Sequence, residues 1–497
     1  MATSRAWAVG LRFERDPFSL GVASGYPSAD GFVLWTRLAP EPLSPNGGMD
    51  PVTVPVVWEV ASDSNMRNVV RCGVAYAAPD WAHSVHVEVD YLEAGRPYWY
   101  RFTAGDARSP IGRAVTAPPV NAPVERLRLA LASCQNYEHG YFVAYERMLQ
   151  DAPDLVVHVG DYIYETGSCK QPSVRQHGSG EANTLDDYRT RYALYKSDPN
   201  LQAIHAACPW VVTWDDHEVD NDYAGDVSEH DDDPVLFLQR RTAAYRAYYE
   251  HMPLPRKAVP FGNVMRVHLQ QTYGDLVNLC MLDGRQYRTP QACPQPGRRG
   301  SNHMVDCAER LDATRTMLGQ YQEAWLRMRL CESKARWNLL AQGVVMAHLD
   351  ELPGEGERYS TDSWNGYPAA RQRLIDSLVQ TRASNPVILS GDIHAFAASD
   401  ISRVPERADT PIVTSELVTT SISTDTAPER RFERLKLENP NTKLITGLYR
   451  GYTRLDITPK QLRADLIAMD TVSKPHSDSR VLRSFTLEAG RPGLLES

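Results

Sequence analysis

Four short strings in the chain combine the side chains that bind metal ions. Ser133-Cys134-Gln135, Gly160-Asp161-Tyr162-Ile163-Tyr164, Asp215-Asp216-His217-Glu218 and Gly391-Asp392-Ile393-His394 offer thiol, carboxylate, phenol and imidazole donors. Each string alone has an ordinary explanation: a Gly-Asp turn, a solvated helix cap or a buried structural thiol. All four, however, follow apolar runs that read as strands of one region. In open α/β sheets ligands sit beyond the carboxyl ends of strands. The joint pattern therefore points to a shared metal centre suited to phosphoester hydrolysis, where two cations acidify a water and clamp the attacking and leaving oxygens.

The donor types assign themselves to two sites. Asp161, after a buried strand and a glycine, is the expected bridging carboxylate. Tyr164 binds well only as phenolate, whose ordinary pKa is about 10, so it calls for a strongly Lewis-acidic ion such as ferric iron. Cys134, as thiolate, and His394 complete that first site. Asp161, Asp216 and Asp392 give the second site oxygen donors alone, which suits calcium, magnesium or manganese. His217 is expected to contact phosphate or protonate the leaving group. Asp161 and His217 are thus the expected catalytic pair, with Asp215, Glu218 and Asn221 orienting them. Attack by a cation-held hydroxide is the expected chemistry. Arg285, Arg371 and Arg450 are unranked candidates for clamping phosphate. His158, inside an apolar run, reads as a core histidine, and Glu229-His230-Asp231-Asp232-Asp233 reads as a solvated loop.

The elements that must position these groups are legible from the patterning. From Leu127 strands alternate with helices. Leu127–Leu131, Leu155–Val159, Trp210–Trp214, Leu276–Leu282, Trp337–Ala347 and Pro386–Leu389 read as strands. Tyr141–Gln150, Leu236–His251 and Ala369–Arg382 read as helices, and the whole is an α/β layer architecture. Residues 18–118 read as all-β. Val85, Val87 and Val89 alternate with polar residues, and Pro97-Tyr98-Trp99-Tyr100 opens an aromatic strand like the late strands of fibronectin or immunoglobulin-like sandwiches. A Pro-rich stretch, Thr116–Pro123, separates this unit from a catalytic unit at 124–497.

Composition sets broad limits. With 497 residues, 42% apolar and 23% charged, the chain has the size of a two-domain globular protein. A net charge of −9 argues against non-specific nucleic-acid binding, and no nucleic-acid-binding module is evident. No stretch approaches the ~18 apolar residues of a membrane span. Cys293 and Cys307, in one Pro/Gly/Arg-rich loop, are expected to pair, which implies an oxidising compartment. Cys72, Cys208, Cys280 and Cys331 are expected to be buried small apolar residues.

These strings resemble those of the PhoD-like alkaline phosphatase/phosphodiesterase family of bacteria, and the likeness spans nearly the whole chain. Phe18-Ser19-Leu20-Gly21-Val22-Ala23-Ser24-Gly25 and Val33-Leu34-Trp35-Thr36-Arg37-Leu38 resemble its amino-terminal β-sandwich. Tyr192-Ala193-Leu194-Tyr195-Lys196-Ser197-Asp198-Pro199, Trp364-Asn365-Gly366-Tyr367-Pro368 and the four donor strings resemble its catalytic domain. The resemblance implies a metallophosphoesterase fold of two packed mixed sheets flanked by helices. It also implies iron with calcium, as a pair or larger cluster, with Cys134, Asp161, Tyr164, Asp216, Asp392 and His394 as ligands. The Gly-Asp-x-x-Tyr string is also similar to that of purple acid phosphatases, where tyrosinate binds ferric iron.

The expected activity is hydrolysis of phosphomonoesters and phosphodiesters, small or polymeric. Within enzymes the rivals are a phospholipase D-type or teichoate-directed diesterase on the same centre. Outside enzymes the rival is a silent surface-binding protein, against which the intact ligand set speaks. Loops such as Cys169–Asn183 and Thr289–Cys307 would set specificity. The resemblance further implies export by the twin-arginine route to the periplasm or outside. Met1–Phe18 carries neither paired arginines nor an apolar signal core, and a trimmed or misassigned start is the expected explanation. Oligomeric state is not legible in the sequence.

Overall fold

The computed structural model describes residues 11–169, 173–407 and 409–496. Most of the Met1–Phe18 stretch and residues 170–172 of the Cys169–Asn183 loop lie outside them. Two large mixed sheets pack face to face. The first has ten strands, in the order Arg491–Glu496, Ser479–Glu488, Gln461–Met469, Arg450–Ile457, Leu127–Ala132, Leu155–Val159, Trp210–Thr213, Val22–Gly25, Phe32–Arg37 and Ser84–Val89. The second has seven: Leu269–Tyr273, Val277–Met281, Trp337–Ala341, Pro386–Ser390, Ile412–Val418, Phe396–Ser402 and Thr442–Thr446.

The centre of each sheet is parallel. Leu127–Ala132, Leu155–Val159 and Trp210–Thr213 run together in one. Val277–Met281, Trp337–Ala341, Pro386–Ser390 and Ile412–Val418 run together in the other. These central strands are continuous runs of apolar residues because both of their faces are covered. Leu131, Val157 and Val211 meet Leu279, Leu339 and Leu389 between the sheets. On its outer face the second sheet presents Cys280, Leu340 and Ile388 to the Gly319–Glu332 and Pro368–Thr381 helices. The Val143–Asp151, Leu185–Lys196, Pro199–Ala207 and Pro234–His251 helices pack into the core of the first sheet.

The sheets touch at the ends of their parallel strands, and two glycines make the approach possible. A Cβ on Gly391 would lie 2.4 Å from Ser133 Oγ, and one on Gly343 would lie 2.5 Å from Asp215 Cγ. Thr419 donates to the Leu131 carbonyl at 3.2 Å and Ile422 N–H to the Ser133 carbonyl at 3.0 Å, which fastens the two ends together. The strand expected over Trp337–Ala347 ends at Ala341, because the chain must turn through Gly343 to clear Asp215.

The amino-terminal β region is joined to this scaffold more closely than a separate sandwich would be. Its Val22–Gly25, Phe32–Arg37 and Ser84–Val89 strands extend the ten-stranded sheet. A second layer, built from Val54–Ala61, Val69–Ala77, Pro97–Ala104, Ala107–Arg108 and Gly112–Val115, covers them. Leu34, Val56, Val60, Val87, Tyr100 and Phe102 fill the space between. Val85, Val87 and Val89 are buried and Glu88 is exposed, as their alternation predicts. Tyr98 Oη accepts the Glu93 N–H at 2.9 Å, bracing the turn before its strand.

Two of the cysteine expectations are corrected. Cys72 is exposed because Val69–Ala77 is an edge strand, and Cys331 is exposed on the last turn of the Gly319–Glu332 helix. Cys208 and Cys280 are buried, and Cys293 is bonded to Cys307. No helix among the described residues is long and apolar enough to cross a membrane.

Tyr26 closes the seam where the amino-terminal strands join the catalytic sheet. Its hydroxyl donates to the Val212 carbonyl at 2.8 Å and accepts the Val212 N–H at 3.3 Å, all three atoms being buried. Replacing it by phenylalanine strands a buried donor and acceptor. Tyr26→Phe is expected to lower stability by about 1–3 kcal/mol, read as a lower urea midpoint; an unchanged midpoint would show that the seam does not depend on this hydroxyl.

Candidate metal centre

Each donor string leaves its strand through a backbone turn that L-residues rarely adopt. Cys134 follows Leu127–Ala132 at φ 58°, and Asp161 follows Leu155–Val159 at φ 56°. Asp392 and His394 follow Pro386–Ser390 at φ 68° and 53°. The left-handed conformation costs about 1–2 kcal/mol for a residue with a Cβ. Four such residues at one point are strain held by the surrounding structure, as at functional sites. The ladder holds it in part: Cys134 N–H bonds to the Gly160 carbonyl at 3.1 Å and Gln135 N–H to the Asp161 carbonyl at 3.0 Å.

The turns bring distant residues together. Ligand atoms of Cys134, Asp161 and His394 all lie within 4.8 Å of one another, and so do those of Asp161, Asp216 and His217. Asp161 belongs to both sets. Tyr164 donates to Asp161 Oδ2 at 3.0 Å and lies 3.1 Å from His394 Nε2. His394 gives its Nδ1–H to the Asp425 carbonyl at 2.7 Å, which leaves Nε2 with a free lone pair aimed at the cluster. Thr424 Oγ1 bonds the Cys134 carbonyl at 2.6 Å and lies 3.0 Å from the Tyr164 hydroxyl.

Asp392 lines a cavity that adjoins the donors, beside His394, and Asp215 and Asp216 are near enough to act on its carboxyl. The second close set joins Asp161 and Asp216 with His217. His217 Nδ1 is 2.8 Å from Glu165 Oε2, and its ring lies against Tyr164, tilted by 32° with centroids 4.1 Å apart. Glu165 is a partner that the sequence reading did not single out. The available signal was its place directly after Tyr164.

The three expected orienting residues act at different ranges. Glu218 is buried and accepts N–H groups from Tyr162 at 2.6 Å, Asp215 at 2.9 Å and Asp161 at 3.1 Å, locking two donor turns together. Asp215 bonds Arg285 Nε at 2.5 Å. Asn221 contributes its backbone N–H, which bonds Glu165 Oε1 at 2.9 Å.

The candidate arginines also separate. Arg285 is buried and paired with Asp215 and, at 3.0 Å, with Asp362. Arg371 is buried against Asn365 at 2.7 Å and Glu406 at 2.6 Å. Neither has a side free for phosphate. Arg450 bonds carbonyls alone, those of Gly447 and Tyr449 at 3.1 Å and His394 at 3.4 Å, beside the donors. His158 is a buried core residue between Trp210 and Tyr162, its pKa pushed down to about 3 by burial. Glu229 and Asp231 are neutralised by Arg298 at 2.7 Å and Arg299 at 2.9 Å, so that loop is an ion-paired surface.

Electrostatics show what the donors lack. Burial, then Asp161, pushes the Cys134 thiol well up, and burial, Asp161 and Cys134 do the same to Tyr164. Burial raises Asp216, and burial with Asp215 raises Asp392 further. Burial also raises Asp161, but His217 and His394 outweigh it and hold this carboxyl below its usual range. Burial opposes charge on His217, yet Glu165, Asp216 and Asp161 together raise it well above an ordinary histidine. Asp161 Oδ1 and Asp216 Oδ1 are buried with no hydrogen-bond partner. Acids outnumber the positive groups here: Arg285, 3.5 Å from Asp216 Oδ1, and His217 stand against several buried carboxyls, a thiol and a phenol. The donor set therefore fits cations, which would invert these shifts.

The model of the PhoD-like phosphatase family matches residues 129–466, and that of the PhoD-like phosphatase N-terminal domain matches residues 3–118. The chain is 45% identical over 489 residues to alkaline phosphatase D of Bacillus subtilis (strain 168), covering 97% of this chain and 82% of that protein. A solved structure of PhoD superposes with a TM-score of 0.94 at 44% identity, covering 98% of this chain and 93% of that one.

Glu218 gives the most direct test of how the turns are held. Glu218→Ala leaves three buried N–H groups without an acceptor and is expected to cost about 3 kcal/mol or more, whereas Glu218→Gln, which keeps one carbonyl oxygen, costs less. Denaturant midpoints of the two variants check the order; equal midpoints would contradict it.

Proposed function

The chain belongs to the PhoD-like phosphatase family and is a phosphoric ester hydrolase; from that premise we propose that it cleaves phosphomonoesters and phosphodiesters at a two-cation centre bridged by Asp161. The observation that carries this reading is the pair of close donor sets sharing that one carboxylate. Cys134, Tyr164 and His394 would hold the first cation with Asp161, and the thiol and phenol favour ferric iron there. Asp161, Asp216 and Asp392 would hold the second, where oxygen donors favour calcium. When bound, the cations supply an acidified water and a sink for the charge on phosphate.

The remaining work falls to the protein's own groups. Arg450 is the cation beside the donors with no carboxylate bonded to it, so it is placed to hold a phosphate oxygen. His217, kept protonated by Glu165, gives its Nε2 proton to the leaving oxygen. Glu218 and Arg285 fix the loops of Asp161, Asp215 and Asp216. His217 has a second reading as a cation ligand, favoured by its place in the second close set. Glu165 would then only fix its tautomer.

The organisation around the centre extends the proposal. Residues 18–118 form a fibronectin- or immunoglobulin-like sandwich, supported by the two covered layers and the Tyr98–Glu93 bond. Residues 124–497 form a metallophosphoesterase domain. Export to the periplasm or exterior is supported by the Cys293–Cys307 disulfide.

Two measurements test this reading. Asp161→Ala in the metal-replete protein is expected to lower kcat/KM on nitrophenyl phosphate by at least ~10³-fold; retained wild-type turnover would refute the centre. The second concerns pH. Glu165 raises the His217 pKa, so Glu165→Gln lowers it, and an acid that must be protonated fails at lower pH. The alkaline limb of kcat/KM is expected to move to lower pH. A fixed limb with reduced metal content would assign His217 as a ligand instead.

A further inference from the structure

A cavity of about 250 Å³ opens beside the donors. Asp392 and His394 form one end of it. From there it lies between the Glu429–Glu438 helix, which contributes Phe432 and Leu435, and the chain around residues 345–365, which contributes Val345 and Leu349. That helix is charged at most of its positions, Glu-Arg-Arg-Phe-Glu-Arg-Leu-Lys-Leu-Glu, and Phe432 and Leu435 are its buried residues. Their i, i+3 spacing puts both on one face. The wall is therefore apolar by design of the helix and not by accident of a loop.

The cavity also carries charge, but it is cancelled. Arg431 bonds Glu351 at 3.0 Å, and Glu351 takes a second bond from His303 at 2.6 Å. Clefts of about 430, 660 and 720 Å³ elsewhere are larger, yet none is lined by a proposed ligand. An ester held at the donors must project its organic group somewhere, and this is the adjoining space.

We propose that this cavity receives the organic group of the ester and favours an uncharged group with an apolar flank. A phenyl ring or short-chain alcohol fits it. A polyphosphate finds no free cation there, because Arg431 is already paired. The inference rests on the hydrolase reading above and names the substrate class of that site.

Phosphonates isolate the effect, because they carry the organic group without a leaving-group pKa. Methyl-, phenyl- and 1-naphthylphosphonate would be compared as competitive inhibitors of nitrophenyl phosphate hydrolysis by the full-length, metal-replete protein. Wild type is expected to bind phenyl- and naphthylphosphonate at least about tenfold tighter than methylphosphonate. Ala427, which lines the cavity, fills it when replaced: Ala427→Leu should reduce the phenyl-to-methyl preference about tenfold. Phe432→Ala removes part of the apolar wall and should also reduce the preference for phenyl- over methylphosphonate. Equal affinity for methyl- and phenylphosphonate in wild type, or preferences unchanged in both variants, would overturn the assignment. The hydrolase reading fails separately, by the absence of wild-type turnover or its persistence in Asp161→Ala.

Discussion

The fold is organised around a concentration of negative groups that cannot stay charged without cations. Cys134, Asp161, Tyr164, Asp216 and the neighbouring Asp215 and Glu218 lie buried within one small region. Burial pushes most of them toward their neutral forms. A hydrophobic core would gain nothing from such a cluster, and unpaired buried charge is costly. Its existence is explained by what it binds. Arg285, which pairs with Asp215 and lies 3.5 Å from Asp216 Oδ1, and His217, whose pKa is raised, balance it only in part, and Asp161 Oδ1 keeps no hydrogen-bond partner.

Everything else in the catalytic region serves to hold that cluster in place. The parallel strands supply rigid, fully buried roots. The left-handed turns at Cys134, Asp161, Asp392 and His394 redirect side chains from the ends of those roots. Gly391 and Gly343 let the two sheets close to contact distance. Glu218 ties the Asp161 turn to the Asp215 turn. The strain of the turns and the cost of the buried acids are borne by the large core between the sheets. Function here is linked to packing: loosening the sheet ends would move ligands before it unfolded the protein.

Much of this was legible in the sequence, for a physical reason. A strand buried on both faces must be a continuous apolar run, so Leu155–Val159 and Pro386–Leu389 announced themselves, and the donors follow directly. What was not legible depends on contacts between distant residues or on the turns themselves. Gly160-Asp161 and Gly391-Asp392 look alike as strings, yet one carboxylate joins both close sets and the other faces a cavity. Glu165 acquires its role from a histidine 52 residues away. Arg285 is an internal counter-ion because it meets Asp215 and Asp362, at separations of 70 and 77 residues. The amino-terminal strands read as a β unit, but that Val22–Gly25, Phe32–Arg37 and Ser84–Val89 extend the ten-stranded sheet was not legible, because alternation reports burial and not which sheet a strand joins. Cys72 and Cys331 were misplaced because a cysteine's own burial preference is weaker than the geometry of an edge strand or a helix end.

The central claim is that Cys134, Asp161, Tyr164 and His394 converge on one ion although the first and the last are 260 positions apart in the chain. Anomalous diffraction at the iron absorption edge, on crystals of protein purified without chelators, tests it most directly. The account predicts a single strong peak in bonding contact with Cys134 Sγ, Tyr164 Oη and His394 Nε2. Iron bound elsewhere on the protein, with no cation of any kind among these four side chains, would contradict it.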